Sequence, residues 1–583
     1  MSDERIYVGV HDGHNAAVAA MAGGQVVWAA QEERFSRVKN DNSFPAHALA
    51  RMFSELGLSP GAVDQYAFNG FLVPSGHASA EENMIAYRAG SSSTSRIKGA
   101  LRHTPLYNWH AQRRKRKRLA LAAEAGLPIS RCVFHEHHLA HAATAYFGSG
   151  WDDSRVLVLT ADGSGDGVCA TVNIAENGTI RRLAQVPESE SIGILWALIT
   201  AYMGMVPLEH EFKLMGMAPY APQIAAARVK EVFSAAFAGV PSNPLLWRRA
   251  RGVPEINNSY QYFRTRLEFC RFDWICAGLQ DFTEEFVTRW VSRCIAQTGI
   301  GCLALSGGLF MNVKLNRRIM ELPEVEKLFV APSCGDESNV FGLCYLAARE
   351  VDSACSVRPI GPLYLGPKFG RDEWEKTAES LGLTPGVSMR RCEDVEQEVA
   401  ELLAKGEVVA RYKGREEFGA RALGNRSILA DASRQELVRV INKMIKCRDF
   451  WMPFACSILE EDADSYTNNP KGVLAPYMIM SFEGKRVEDI RAGTHPEDNT
   501  VRPQVVRPSD NPDYYRLIRD FKRLTGRGAI LNTSFNLHGS PIVSSPKDAA
   551  GVFLASGLRY LALEEFLFSK EAGNWEGKRT VVS

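Results

Sequence analysis

The chain has 583 residues, 45% hydrophobic and 23% charged, with 68 basic side chains against 67 acidic ones and a formal net charge of +1. That composition supports buried cores and excludes a wholly disordered chain, and the balanced charge excludes a global pull toward nucleic acid or anionic membrane. At roughly 150 residues per domain the length points to three or four units, which large folds often merge. Twelve cysteines are scattered without a C-x-x-C pair, the pattern of reduced thiols in a cytoplasmic protein. MSDERIYVGV has no basic start followed by an apolar core, so no secretory leader is expected.

Tyr7–Val10 reads as a buried strand and HDGHN as a loop. AAVAAMAGGQVVWAAQEE then reads as a hairpin turning at Gly23-Gly24. Arg113 to Arg118 (RRKRKR) is the one strong charge run. Its plain reading is a solvated helix face or loop, and its rival reading is contact with a phosphate-rich partner. In HEHHLAHAA, His137 and His141 are four apart, share one helix face and can grip one metal ion. His135 and His138 point elsewhere.

Val156–Thr160 (VLVLT) repeats the opening pattern. A strand, an acidic glycine loop (ADGSGDG) and a hairpin turning at Asn177-Gly178 follow one another, with Asp12 or Asp162 at the first strand's end in each copy. The duplication resembles actin-like and sugar-kinase-like ATPases, in which facing loops cradle phosphates. Ser191 to Leu208 carries no charge over roughly the 18 residues a membrane span needs, yet it holds polar residues, glycines and a proline. It is expected to be a buried helix.

LALSGGLFMN (Leu303 to Asn312) reads as strand, glycine turn and helix start, suited to a nucleotide. No G-x-x-x-x-G-K-[ST] occurs, which disfavours a P-loop enzyme. Asp162 and Asp336, the latter in PSCGDESN, can complete a site with the two histidines. Two imidazoles and two carboxylates suit iron(II), manganese or zinc better than magnesium.

Texture changes at Val351 to Pro367, giving domains at 1–356 and 357–583. Beyond it lie a helix (Glu393 to Gly406), strands EVVARY and AILNTSF, and a polar stretch, Gly484 to Asn499, expected as a surface excursion. Arg421, Lys446, Arg448, Arg502 and the turn Asn532-Thr533-Ser534-Phe535-Asn536 look like an anion cradle, since forked guanidiniums match phosphate oxygens. The plain alternative is a set of surface salt bridges.

Taken together, HDGHNAA, QEERFSRVK, HHLAHAATAYF, ADGSGDG, the E-x-K-x-M-G-x-A-P segment, SGGLFMN and PSCGDES resemble the NodU/CmcH-type O-carbamoyltransferases of nebramycin and related antibiotic biosynthesis. GREEFGARALGNRSILAD, INKMIKCRDFWMPFACSIL and LNTSFNLHGSPIV extend the resemblance over roughly Tyr7 to Phe568. It implies an α/β protein with a duplicated actin-like/sugar-kinase-like (ASKHA) N-terminal domain and a YrdC-like C-terminal α/β domain. The C-terminal domain would turn carbamoyl phosphate and ATP, with magnesium, into carbamoyl-adenylate. The N-terminal domain would pass the carbamoyl group to a hydroxyl of a small molecule.

The resemblance further implies a divalent metal, iron(II), on His137, His141, Asp162 and Asp336. It implies His14 as general base, Asp12 positioning the acceptor, and Lys39 on a phosphate oxygen of the adenylate. Nucleotide contacts would come from Lys39, Asp162, Ser191, Ile192, Gly193, Asn312 and Asp336. Carbamoyl phosphate and ATP would contact Arg421, Lys446, Arg448, Arg502, Asn532, Thr533, Ser534 and Asn536. Many relatives carry Arg where this chain has Met452, so a phosphate contact there is absent or falls to Arg448. The acceptor pocket is expected in Gly70 to Thr104 and Ala236 to Asn258. No membrane partner is expected, nucleic acid is disfavoured, and a homodimer is compatible. Rival readings are a tRNA threonylcarbamoyl-type enzyme and a non-catalytic nucleotide-binding scaffold.

Overall fold

The structure, a computed structural model, describes residues 4–72, 80–89, 105–353, 355–446 and 448–571. It divides into two compact units, 4–32 with 40–360, and 33–39 with 361–571. The division at 360/361 compares with 356/357 expected from sequence. The short segment Glu33–Lys39 is grouped with the second unit, which the sequence did not suggest.

In the first unit, strands β1 (Ile6–His11), β2 (Ala17–Ala22), β3 (Gln25–Gln31), β4 (Gln65–Asn69) and β5 (Cys132–His135) form a sheet of order β3-β2-β1-β4-β5. β2 and β3 run antiparallel to their neighbours, whereas β1, β4 and β5 are parallel. β6 (Val156–Gly165), β7 (Val168–Glu176) and β8 (Thr179–Pro187) are followed by a separate hairpin of β9 (Phe237–Val240) and β10 (Asn243–Arg249). With β11 (Cys302–Ser306) and β12 (Lys327–Val330) the second large sheet reads β8-β7-β6-β11-β12, the same order and directions as the first.

The duplication read from the sequence is therefore present in the topology. Both hairpin turns fall where the sequence put them, with positive φ at Gly23 and Gly24 and at Asn177 and Gly178, the backbone that matches the right-handed strand twist. Helix His137–Ser149 packs on the second sheet and helix Asn339–Val351 on the first, and the two pack on each other. Both are almost wholly buried. Of the uncharged stretch Ser191 to Leu208, Ile192–Tyr202 is a buried helix, whereas 203–208 are not helical and expose Leu208. Among the described residues no helix is long and apolar enough to cross a membrane.

The second unit holds β13 (Val387–Arg391), β14 (Val409–Tyr412), β15 (Arg426–Ala430) and β16 (Ala455–Leu459). A small sheet of β17 (Thr467–Asn468), β18 (Phe482–Gly484) and β19 (Thr500–Val501) follows, then β20 (Pro503–Val506), β21 (Ala529–Ser534), β22 (Tyr560–Leu563) and β23 (Phe566–Lys570). The large mixed sheet reads β13-β23-β22-β14-β15-β21-β16-β20. Helices Val395–Ala404 and Pro512–Thr525 bury Val399, Leu403, Leu517 and Phe521 against Leu429, Leu459 and Ile530 of that sheet. Gly484 to Asn499 departs from the expected surface excursion: Ile490, Ala492, Thr494 and His495 are buried. Its polar composition concealed apolar residues too widely spaced to form a periodic stripe. The eleven described cysteines are free, and Cys447 lies outside the described residues.

Candidate functional site

The helix His137–Ser149 begins at Glu136, whose carboxylate accepts the Leu139 N–H at 2.7 Å and holds Arg182 at 2.6 Å. One turn then separates His137 from His141, and their Nε2 atoms stand 3.1 Å apart. Asp162 on β6 brings Oδ2 to 3.4 Å from His137 Nε2. Asp336, in the loop after β12, places Oδ1 at 3.4 Å and 3.5 Å from the two Nε2 atoms. One ligand atom from each of the four lies within 4.8 Å of the others.

That spacing and donor set fit one cation taking imidazole nitrogen and carboxylate oxygen. The outer atoms are engaged as such a site requires. His141 Nδ1 lies 3.1 Å from Ser306 Oγ, and Asp162 Oδ1 accepts the Gly308 N–H at 2.8 Å. The Asn69 amide nitrogen lies 3.3 Å from His137 Nδ1 and 2.9 Å from His11 Nδ1. Gly165 passes beneath the His137 ring so closely that a Cβ would meet it at 2.2 Å.

The charges are mutually dependent. Burial alone would lower His137, but Asp336 and then Asp162 outweigh it and raise it to about 9. Burial pushes the Asp336 carboxyl up, yet His137, His141 and His11 hold it below the ordinary carboxylate range. His138, lowered to about 3 by burial and then by His137 and His141, is a neutral packing group. Its Nδ1 meets Thr160 Oγ1 at 2.8 Å and its Nε2 meets the Val168 carbonyl at 3.0 Å.

The other expected residues fare differently. Asp12 does not face outward to receive an acceptor. Arg118 takes both its oxygens, with Nε to Oδ2 at 2.7 Å, and also donates to the Gly70 and Asn69 carbonyls at 2.6 Å and 2.8 Å. Arg118 is thus a buried end of a run whose Arg113, Lys115, Arg116 and Lys117 are exposed. The His14 carbonyl lies 2.9 Å from His11 Nε2, which places His14 on the loop beside the four-residue cluster.

Ser191 caps its helix by accepting the Ile194 N–H at 3.0 Å and donates to the Gly163 carbonyl at 2.6 Å. Gly193 approaches the Asp162 backbone to within 2.7 Å of an added Cβ. The Ile192–Tyr202 helix therefore starts on the Asp162 loop. Asn312 spends its amide locally, capping the next helix at Leu315 and pairing with Gln280 at 2.9 Å and 3.1 Å. Lys39 is grouped with the second unit, where its charge acts on Lys446. Of the expected acceptor-pocket loops, 73–79 and 90–104 lie outside the described residues.

In the second unit, Lys446 is buried and donates to Ser534 Oγ at 3.0 Å and to Asn536 Oδ1 at 2.5 Å. Arg448 donates to Thr533 Oγ1 at 3.1 Å. Burial, then Arg448 and Lys39, lower Lys446; burial, then Arg421, lower Arg448 to about 10; burial, then Arg421 and Arg448, lower Arg502. Among the described residues, the charges acting on these three groups are cations, and Arg502 Nε is a buried donor with no acceptor. Such a cluster can receive a polyanion. Asn532 donates its amide N–H groups to Ser457 Oγ at 3.0 Å and Gln504 Oε1 at 3.1 Å, and its Oδ1 has no partner among the described residues.

Sequence reading missed His11, Asn69 and Arg118. His11 and Asn69 end the parallel strands β1 and β4, and their shared position is a signal available only once those strands are paired. Arg118 differs from its neighbours in the run by nothing the sequence displays.

Two family models match the chain: Carbamoyltransferase N-terminus over residues 6–344 and Carbamoyltransferase C-terminus over 400–570. The chain is 30% identical over 571 residues to the nodulation protein NolNO of Sinorhizobium fredii, covering 97% of this chain and 80% of that protein. It is 29% identical to the uncharacterized protein sll1178 of Synechocystis sp., over 96% of this chain and 95% of the relative. A 3'-hydroxymethylcephem-O-carbamoyltransferase of Streptomyces clavuligerus is 30% identical over 42% of this chain and 44% of its own length.

Proposed function

This chain belongs to the carbamoyltransferase family, and on that premise we propose that it is an ATP-dependent O-carbamoyltransferase working in two steps. In the second unit, read as YrdC-like, carbamoyl phosphate is split by water to carbamate and phosphate. A carbamate oxygen then attacks the α-phosphorus of magnesium-bound ATP, giving carbamoyl-adenylate and pyrophosphate. Arg421, Lys446, Arg448, Arg502 and Lys39 bind and orient the phosphates. In the first unit the acceptor hydroxyl attacks the carbamoyl carbon, the bond to AMP breaks, and His14 takes the hydroxyl proton, a task for which an imidazole suits neutral pH.

His137, His141, Asp162 and Asp336 would hold a divalent cation, iron(II) by family resemblance. It would supply Lewis-acid stabilisation of charge developing on the carbonyl and the departing phosphate. The observation that carries the reading is the convergence of those four side chains, far apart in sequence, within 4.8 Å. The burial of Arg118 removes one cation from the basic run that a tRNA-binding reading would need. Relatives named for nodulation and for a cephem support a hydroxylated secondary metabolite or sugar as acceptor.

The test is carbamoyl-phosphate-dependent release of pyrophosphate, together with transfer to a hydroxylated acceptor, in wild type, His137→Ala and His141→Ala. Transfer is expected to vanish in both variants. Full transfer by both after chelator treatment would refute the metal role.

A further inference from the structure

The loop Glu417–Arg426 leads into β15 and carries Arg421. Its backbone is held from several sides. Glu417 Oε1 accepts the N–H groups of Leu423 at 2.7 Å, Asn425 at 3.1 Å and Arg426 at 3.1 Å. The Tyr364 hydroxyl and Gln504 Nε2 both donate to the Leu423 carbonyl, at 2.7 Å and 2.8 Å. Asn532 Nδ2 donates to the Ala422 carbonyl at 3.2 Å, and Arg34 Nη2 donates to the Gly419 carbonyl at 2.7 Å. Gly424 has φ +118° and sits so near Tyr514 that a Cβ would lie 2.5 Å from its ring. Glu417, Asn532, Gln504 and Arg34 are all buried.

Resting on the reading of this surface as the phosphate site, we infer that Glu417, with Tyr364, Gln504 and Asn532, is a positioning device that holds Arg421 beside Arg448 and Arg502 before any anion arrives. Three partly buried guanidiniums repel one another, and a loose loop would carry Arg421 away. Arg448 and Arg502 both feel its charge. The hydrogen bonds to the loop backbone offset that repulsion, so the anion meets a formed cradle instead of having to assemble one. Asn532, expected as a ligand, becomes part of the clamp. Glu417 Oε2 has no partner among the described residues, so a glutamine can keep the accepting oxygen where it is.

The experiment uses full-length Glu417→Ala, Glu417→Gln and Tyr364→Phe, with calorimetric titration of carbamoyl phosphate and steady-state kinetics. Losing hydrogen bonds of ordinary strength predicts a Kd and KM for carbamoyl phosphate about tenfold higher in Glu417→Ala. Saturated kcat should stay within about twofold, the glutamine variant should approach wild type, and Tyr364→Phe should lie between. Unchanged Kd in Glu417→Ala, or a fall in kcat without a change in KM, overturns the inference. Should Glu417→Ala fail to fold, Tyr364→Phe decides: a raised Kd supports the clamp and an unchanged one overturns it. Wild type without affinity for carbamoyl phosphate would sink the parent reading, whereas wild-type binding with an indifferent Glu417→Ala would sink the clamp alone.

Discussion

Between its ordinary value of 6.5 and about 9, His137 of the metal-free protein keeps a proton that a cation must displace. Its folded pKa lies above the unfolded one, so its contribution to stability is complete below pH 6.5 and is lost as pH rises through about 9. Chelator-treated protein should therefore lose melting temperature between those pH values. The loss should be absent from His137→Gln, as thermal melts at stepped pH will show. Loading with iron(II) near pH 7.5 should release a proton, readable with an indicator dye. At Asp12 the decisive fact is burial. Arg118→Met strands a carboxylate in the interior and should cost about 3–5 kcal/mol by chemical denaturation. Asp12→Asn with Arg118→Met should recover part of that, because a neutral amide is cheaper to bury.

At the scale of elements, the hairpins, the strand of EVVARY and the helix at Glu393 to Gly406 were legible because turn residues and periodicity act over a few positions. The join between the Ile192–Tyr202 helix and the Asp162 loop was not, since it depends on what a Cβ would strike. Gly193→Ala should push the helix off that loop at a cost of about 1–3 kcal/mol. It should also weaken metal binding through Asp162, as a calorimetric titration will show. The same substitution at Gly551, an exposed glycine within helix Pro546–Ala555 that nothing approaches and whose φ is ordinary, is the control for backbone effects.

At the scale of the molecule, the proposed division of two chemistries between two units predicts separable defects. Arg448→Met should abolish carbamoyl-phosphate-dependent pyrophosphate release yet still transfer from supplied carbamoyl-adenylate. His141→Ala should show the reverse, and identical defects in both assays would argue against the division of labour. The sequence by itself determined the duplication, the pair His137 and His141, and the candidate cations of the second unit, because strand–loop–hairpin patterning and i, i+4 spacing are local properties. Asp162 and Asp336 were named from sequence as completing that pair, and the fold brings them within reach of it; tertiary structure alone decided that Arg118 closes over Asp12, that Lys39 stands with Lys446, and that Asn532 donates to the loop of Arg421. Each of those pairings joins residues distant along the chain, and a side chain's partner there is set by which strand ends the sheets bring together and by which charges they bury.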